Sequence, residues 1–485
     1  MRTYIPVIGL EIHAELKTKT KMFCGCLNDL DEKQPNKNVC PICMGHPGTL
    51  PVINTAAIEA MLKIGTALEA EIPAVSYFDR KHYFYPDLPK GYQISQEKFP
   101  FVFGGTLKGV KIHHVHLEED AARTQHVDDG ALIDYNRAGV PLMELVTEPD
   151  IRDSAKVGEF ATELQLLLRY LGVSDADMEK GQMRVEVNLS LGTIVNGELK
   201  LGTKAEVKNI NSFRAAVAAA EYEIKRQREI LESGEQVEQE TRGWDDVKKV
   251  TVSQRKKESS HDYRYFPDPD LPPVDIAQFN FKKLRAEMPE LPNKKRARFT
   301  KEYSLGPEHI EVLVADRPLA NYFEAVASEL KRITSQNADP KDWYKGIMLA
   351  INYLTSDLKG LMLAVNITDP IQTNVKPKHF ADLMMLISAE KIGSRGAKNI
   401  LKKMFEVGGD PNEILKTEGM EQVSDEKELT KLAKEIIKAY PGPVADYKSG
   451  KEAALMFFVG RAMGQLKGKG NPGVLQKIFK ELLIK

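Results

Sequence analysis

The sequence predicts an α+β chain: a sheet-based N-terminal domain, then an all-α helical domain, then a small α-helical tail. Three observations carry this. Apolar residues alternate with a period of two in several stretches of the first half. Helical spacing fills the gaps between those stretches and dominates the second half. Proline- and glycine-rich breaks fall where the pattern changes.

The elements follow in order. From Tyr4 to Leu16, Ile8, Leu10, Ile12, Ala14 and Leu16 share one face and Gly9, Glu11, His13 and Glu15 the other, as in a half-buried strand. Residues 101–117 and 140–147 also read as strands. The stretch 154–171 carries Val157, Phe160, Leu164, Leu167 and Leu171 at helical spacing, with Ser154 as the expected N-cap and Gly172 past the end. In 183–190, Met183, Val185, Val187 and Leu189 alternate with Arg184, Glu186, Asn188 and Ser190. A helix is expected over 213–232, with Phe213, Val217, Ile224 and Leu231 on its buried side. PDPDLPPVD and PELPNKK then concentrate proline across 267–293, and beyond them helical patterns run from Ala325 to Leu330 and from Ala381 to Met404. A second break falls at Gly408-Gly409-Asp410-Pro411. The expected domains are therefore 1–292, containing a cysteine-bearing loop at 24–43, then 293–408 and 409–485.

Composition narrows the function. The chain has 485 residues, 42% hydrophobic and 28% charged, which suits a globular protein with substantial cores. A net charge of -1 excludes a nucleic-acid binder that works through overall positive charge, but not a local basic patch. The last 35 residues hold such a patch, with Lys451, Arg461, Lys467, Lys469, Lys477, Lys480 and Lys485 against Glu452 and Glu481, a local net of +5. No apolar run approaches the roughly 20 residues of a membrane helix, and the first residues resemble neither a secretory signal nor a transit peptide. A cytoplasmic protein without membrane association is expected.

All four cysteines lie between Cys24 and Cys43, as Cys24-Gly-Cys26 and Cys40-Pro-Ile-Cys43 separated by thirteen residues. Two short chelating pairs on a closed loop are the pattern of a structural zinc site, whose four thiolates leave no coordination position open. Unrelated small residues would be the alternative.

Acids and histidines are also concentrated. Seven of ten histidines fall in the first 126 residues. Glu11 and His13 project from the same strand face, about 6.5 Å apart by strand rise, and can converge on one cation. Counting by two from Val115 and Leu117 puts Glu119 at the end of an apolar face, and Glu144 lies between Leu142 and Val146. Ionised carboxylates so placed need a partner such as a metal ion, unless they are strand-end acids facing solvent. HHVHLEED, 113–120, reads either as a metal motif or as an exposed strand face. The segment 78–93 mixes aromatics with Lys81, His82 and Lys90, suiting it to stack on and contact a nucleotide or an RNA end, or to pack as a surface loop. There is no Walker A, HExxH or GxSxG motif. The GxGxxG string at Gly468–Gly473 follows a helix, contains Pro472, and is rejected as a dinucleotide site.

Several long strings are similar to one family. VIGLEIHAELKTKTKMFC, FDRKHYFYPDLPKGYQIS, HLEEDAAR, DYNRAGVPLMELVTEPD, LGTKAEVKNINSFR, EYEIKRQ and HDYRYFPDPDLPP resemble the B subunit of the aspartyl/glutamyl-tRNA amidotransferase. ADYKSGKEAALMFFVGRAMGQLKGKGNP resembles that family's helical tail. The resemblance spans nearly the whole chain. It implies a glutamine-synthetase-like cradle domain, a helical domain and a tRNA-contacting tail. It also implies a heterotrimer with the amidase (A) subunit, which frees ammonia from glutamine, and with the small C subunit. The implied reaction uses ATP to phosphorylate the side-chain carboxylate of mischarged Glu-tRNA(Gln), of Asp-tRNA(Asn), or of both. Ammonia then displaces phosphate to give the amide. Residue by residue, Glu11, His13, Glu119 and Glu144 match the family's magnesium ligands, and Lys81 and Lys90 match lysines near the reaction centre and the end of the ammonia passage. Arg184, Glu186 and Asn188 match a segment on the nucleotide and second-metal side. Many members read Arg-Cys-Asp-Ala-Asn there, so the longer Glu186 departs from the family at the position where a direct metal contact would be made. Some members lack the four cysteines, which makes zinc a stabilising option and no part of the reaction. A zinc-stabilised RNA scaffold and a metal-dependent hydrolase are the competing readings of the same residues.

Overall fold

The computed structural model describes residues 3–256, 262–335, 340–418, 426–466 and 471–484. Among the basic tail residues, Lys467, Lys469 and Lys485 lie outside these, as does the first part of the Gly468–Gly473 string. The chain forms two compact units, Met1–Pro292 and Asn293–Lys485. The first is a mixed sheet-and-helix domain and the second is helical. Among the described residues no helix is long and apolar enough to cross a membrane.

The first unit is organised by one sheet. Its main strands are β1 (Tyr4–Glu15), β4 (Val102–Phe103), β5 (Val110–Glu119), β6 (Pro141–Thr147), β7 (Met183–Val195), β8 (Ala205–Lys208), β9 (Glu240–Asp245) and β10 (Val250–Lys256). Two further strands, β2 (Asp79–His82) and β3 (Tyr92–Ser95), pair with each other in a separate small sheet. The main order is β10-β9-β8-β7-β1-β6-β5-β4, antiparallel except between β8 and β9. β1 is thus central, and its alternation decides both faces. Ile8, Leu10, Ile12 and Ala14 are at most 1% exposed and pack with Val185, Val187, Val115 and Leu145 of neighbouring strands. Helices α1 (Thr55–Ala67), α2 (Ser154–Leu171) and α3 (Phe213–Glu232) contribute to the same core. Each fully buried aliphatic side chain there stabilises the fold by about 1.5–3 kcal/mol.

Helix ends and faces refine the sequence reading. The cap of α2 is Asp153, whose carboxylate accepts the Lys156 N–H at 2.8 Å; Ser154 is the first helical residue. Asp153 wins because its extended backbone lets the carboxylate reach the free N–H groups of the first turn. Gly172 ends the helix in the left-handed region at φ 70°, where a Cβ is disfavoured. On α3 the expected apolar side is only half-buried. The buried face is instead Ala215, Ala216, Ala219 and Ala220, continued by Glu223 and Gln227. Small residues let the helix approach closely, and at the crossing with α2 a Cβ on Gly158 would lie 2.7 Å from Val217 Cγ2. Glu223 is matched by Arg226 at 2.6 Å and by the Thr251 hydroxyl of β10 at 3.0 Å.

In the second unit, the pattern over 381–404 resolves into two helices, Pro377–Ser388 and Ser394–Val407. The break contains Glu390 at φ 56°, a conformation a continuous helix cannot accommodate. Gly408 and Gly409, at φ 75° and 112°, end the second of these before the helix Pro411–Glu418. Further on, Leu429, Ile436, Phe458 and Phe479 form a small core from the helices Glu426–Ala439, Ala453–Gln465 and Pro472–Ile484.

The alanine face yields a test. Ala216→Leu should overpack α3 against the sheet and cost about 1–3 kcal/mol, while Val217→Ala on the expected face should cost less. Urea midpoints of the two variants decide, and the reverse order would contradict the observed face.

Candidate active site

Strand register builds the site on the face of the sheet away from the helices. Residues directly opposite in an antiparallel pair point to the same side. His13 lies opposite Glu144 on β6 and opposite Arg184 on β7. Glu11 lies opposite Glu186, and Glu144 lies opposite His116 of β5. His13 Nε2 is 3.1 Å from Glu144 and 3.8 Å from Glu118. His116 Nε2 is 3.3 Å from the same Glu144 oxygen and 3.6 Å from Glu118. Donor atoms converge in three overlapping sets, each within 4.8 Å: Glu11, His13 and Glu144; His116, Glu118 and Glu144; Glu11, Glu186 and Glu206.

Sequence reasoning singled out Glu11, His13, Glu144 and Glu186, held His116 and Glu118 only within the HHVHLEED string it left open, and missed Glu206. The missed signal was parity, since His116 and Glu118 alternate with the buried Val115 and Leu117. Glu119, expected as a fourth ligand, is not among the converging donors. As the neighbour of Glu118 it projects the other way, where it pairs with Lys90 Nζ at 2.6 Å and accepts the Ile94 N–H at 3.0 Å. Lys81, on β2, faces Glu118 and Glu144, and its ammonium sits over the ring of Tyr263 at 5.1 Å. Burial opposes its charge, but those carboxylates more than offset that and hold it above the usual lysine range.

The face is electrostatically tense. Burial, reinforced by Glu144 and Glu186, lifts Glu11 to about 7 despite His13 and Lys208. Burial also works against the charge of His116, yet Glu144 and Glu118 raise it to about 10. Glu144 is desolvated too, but His116 and His13 hold it well below the carboxylate range. Polar atoms here, His13 Nδ1 and Asn188 Oδ1 among them, are buried without a hydrogen-bond partner among the described residues. Asn188 lies opposite Gly9, which leaves the adjacent position free of a side chain. Several carboxylates, imidazoles and unsatisfied polar atoms on one wall fit a hard divalent cation, which would relieve the repulsion among the acids.

Arg184 is held elsewhere. It reaches Asp120 at 3.3 Å, and Arg137 bridges Asp120 at 2.6 Å and Glu15 at 2.7 Å. Burial would raise Asp120, but Arg137 and Arg184 keep it below its usual range. Glu186 pairs with Lys208 at 2.8 Å, which is how the longer acid is accommodated.

The four cysteine sulfurs also lie within 4.8 Å of one another, and none forms a disulfide. Cys43 Sγ accepts the Cys40 N–H at 3.1 Å, and Gly45 completes the turn at φ 66°. A hydrogen bond from Cys24 pushes Cys43 down to about 5, while the same bond and burial push Cys24 up. Four sulfurs gathered this closely make an S₄ donor set that fits zinc. A cavity of about 280 Å³ runs beside this cluster, lined by Cys24, Cys43, Arg80, Lys90, Tyr92 and Glu119.

Comparison with known proteins follows the geometry. Residues 6–282 match the GatB/GatE catalytic domain, and residues 333–483 match the GatB domain. A protein of Persephonella marina is 43% identical over 99% of both chains, and one of Thermotoga maritima likewise 43% over 99% of both. One of Caldicellulosiruptor saccharolyticus is 42% identical over the same share. Each is named as the B subunit of an aspartyl/glutamyl-tRNA(Asn/Gln) amidotransferase.

The Arg137 bridge generates a prediction about the rim of the face. Arg137→Met strands the buried Glu15, leaves Asp120 with Arg184 alone and should cost about 3–5 kcal/mol, whereas Arg184→Met, whose side chain is 44% exposed, should cost clearly less. Equal urea midpoints for the two variants would contradict the bridging role.

Proposed function

The chain belongs to the GatB family of tRNA amidotransferase subunits, and from that membership we propose that it is the component that activates and amidates a mischarged aminoacyl-tRNA. Its substrates are Glu-tRNA(Gln), Asp-tRNA(Asn), or both. Its partners are the glutamine-hydrolysing amidase (A) subunit and the small C subunit of a cytoplasmic heterotrimer. The observation that carries this reading is the convergence of Glu11, His13 and Glu144 on one sheet face beneath Lys81.

A carboxylate does not react with ammonia at neutral pH, because hydroxide or oxide is a very poor leaving group. ATP supplies a better one. A side-chain carboxylate oxygen of the mischarged residue attacks the γ-phosphorus, the bond to ADP breaks, and an acyl phosphate forms. Ammonia then attacks the acyl carbon and inorganic phosphate departs. Phosphoryl transfer of this kind depends on positioning and charge neutralisation. Magnesium bound by Glu11, His13 and Glu144 would neutralise the phosphate oxygens. His116 and Glu118 hold Glu144 and His13 in place through the contacts described above. Lys81 offers a cation to the reacting carboxylate or the departing phosphate. Lys90 and Glu119, paired beside the cavity, border the end of the ammonia passage.

Arg184 serves as an anchor for Asp120, and Glu186 with Lys208 borders the nucleotide side. The four cysteines hold a structural zinc ion. The C-terminal residues 409–485 contact tRNA; Arg461 there packs over Tyr440 and Phe457 at 5.1 and 5.3 Å, which fixes one cation of the basic patch on a rigid aromatic surface.

The test uses the assembled heterotrimer with ammonium supplied. ADP release should require mischarged Glu-tRNA or Asp-tRNA, and Glu144→Gln should lower that release by at least about 100-fold, beyond what loss of a supporting contact causes. Affinity for tRNA should stay nearly unchanged in this variant. Release without the tRNA would point to a hydrolase, and a bound tRNA that elicits none would point to a scaffold.

A further inference from the structure

Lys21 is completely buried, at 0% exposure. Its Nζ donates to the Tyr135 carbonyl at 3.1 Å and lies 3.8 Å from Cys43 Sγ. Neither contact is a carboxylate. Glu119 comes near this corner: a Cβ on Gly139 would lie 3.9 Å from its carboxylate, 3.7 Å from Lys21 Cδ and 3.5 Å from Cys43 Cβ. Yet Glu119 is engaged by Lys90 and the Ile94 N–H. A buried ammonium without a compensating anion is strongly unfavourable, so something else in this corner must supply the charge. Of its two contacts among the described residues, the sulfur is the one able to carry a negative charge.

We propose that Lys21 is the counter-cation of a four-thiolate metal centre formed by Cys24, Cys26, Cys40 and Cys43. This rests on the reading of the cysteines as a zinc site. Four thiolates around one divalent ion leave two negative charges in a partly buried place. The ammonium beside Cys43 offsets part of them, and the thiolate in turn makes the burial of Lys21 tolerable. The two are therefore coupled: the metal centre stabilises the lysine as much as the lysine stabilises the metal centre. Lys21 acts through the thiolate and is a positioning residue of the site, since it cannot ligate as an ammonium.

The coupling predicts a change of sign that a packing role would not show. In the zinc-loaded full-length chain, Lys21→Met should speed zinc release to a chromophoric chelator by about 10–100-fold, as loss of an outer-shell partner does. Lys21→Arg, which keeps the charge, should restore much of the retention. The urea midpoint should fall with Lys21→Met in the zinc-loaded chain. In a chain with all four cysteines changed to serine, the same substitution should raise it, because there Lys21 is a buried charge without an anion. Should Lys21→Met fail to fold with the cysteines present, the serine background alone decides. Unchanged zinc release, or a midpoint that falls in both backgrounds, overturns the inference. A parent chain that holds no zinc overturns the metal reading and this inference with it, while zinc held equally well by Lys21→Met overturns this inference alone.

Discussion

The structure depends on the cross-strand register of β1 with β6 and β7. Side chains alternate with a period of two, so a slip of one residue would turn Glu11 and His13 into the helical core and Leu10 and Ile12 into the open. The fully buried Ile8, Leu10, Ile12 and Ala14 forbid that slip, because every one of them would lose its apolar surroundings. The apolar face thus fixes the chemistry of the opposite one. His13 meets Glu144 because Ile12 meets Leu145.

A face assembled this way carries its own electrostatic cost. Five acids, Glu11, Glu118, Glu144, Glu186 and Glu206, belong to the three converging donor sets with only two imidazoles. Lys81 and Lys208 border them, and burial keeps water from screening the rest. Such a wall is poor for stability and good for holding a polyphosphate through a divalent cation, with little rearrangement needed on binding. The rim is arranged differently. Around Asp120, Arg137 and Arg184 pair the acid closely, although burial still lifts the neighbouring Glu15 to about 7.

Much of this was legible in the sequence, and what was not has identifiable causes. The alternation of β1 exposed Glu11 and His13 directly. Glu144 was visible as a charge between Leu142 and Val146, although Leu142 shares its face and is itself buried. On β5 the count by two from Val115 and Leu117 reached Glu119 on the apolar side, and the need of a charge there for a partner was read as a metal ion, whereas Lys90 meets it. Glu206 was hidden in a four-residue strand, too short to show a period by itself. Only register brings it to Glu11. The face of α3 was misread because alanines, chosen for close approach, carry less weight in a hydrophobic pattern than Phe213 or Leu231. Cysteine spacing alone marked the thiol cluster, but nothing in the sequence indicated that Lys21 would be buried beside it.

The central claim is that the register-built set of Glu11, His13 and Glu144 holds the divalent cation while Glu119 belongs to the Lys90 side. Manganese binding to the assembled complex without nucleotide, followed by the loss of the free-ion paramagnetic resonance signal, tests it most directly. The account predicts that Glu11→Gln and Glu144→Gln each weaken binding by at least about tenfold, and that Glu119→Gln leaves it close to that of the parent. Loss of binding in Glu119→Gln, with Glu11→Gln and Glu144→Gln unaffected, would contradict it.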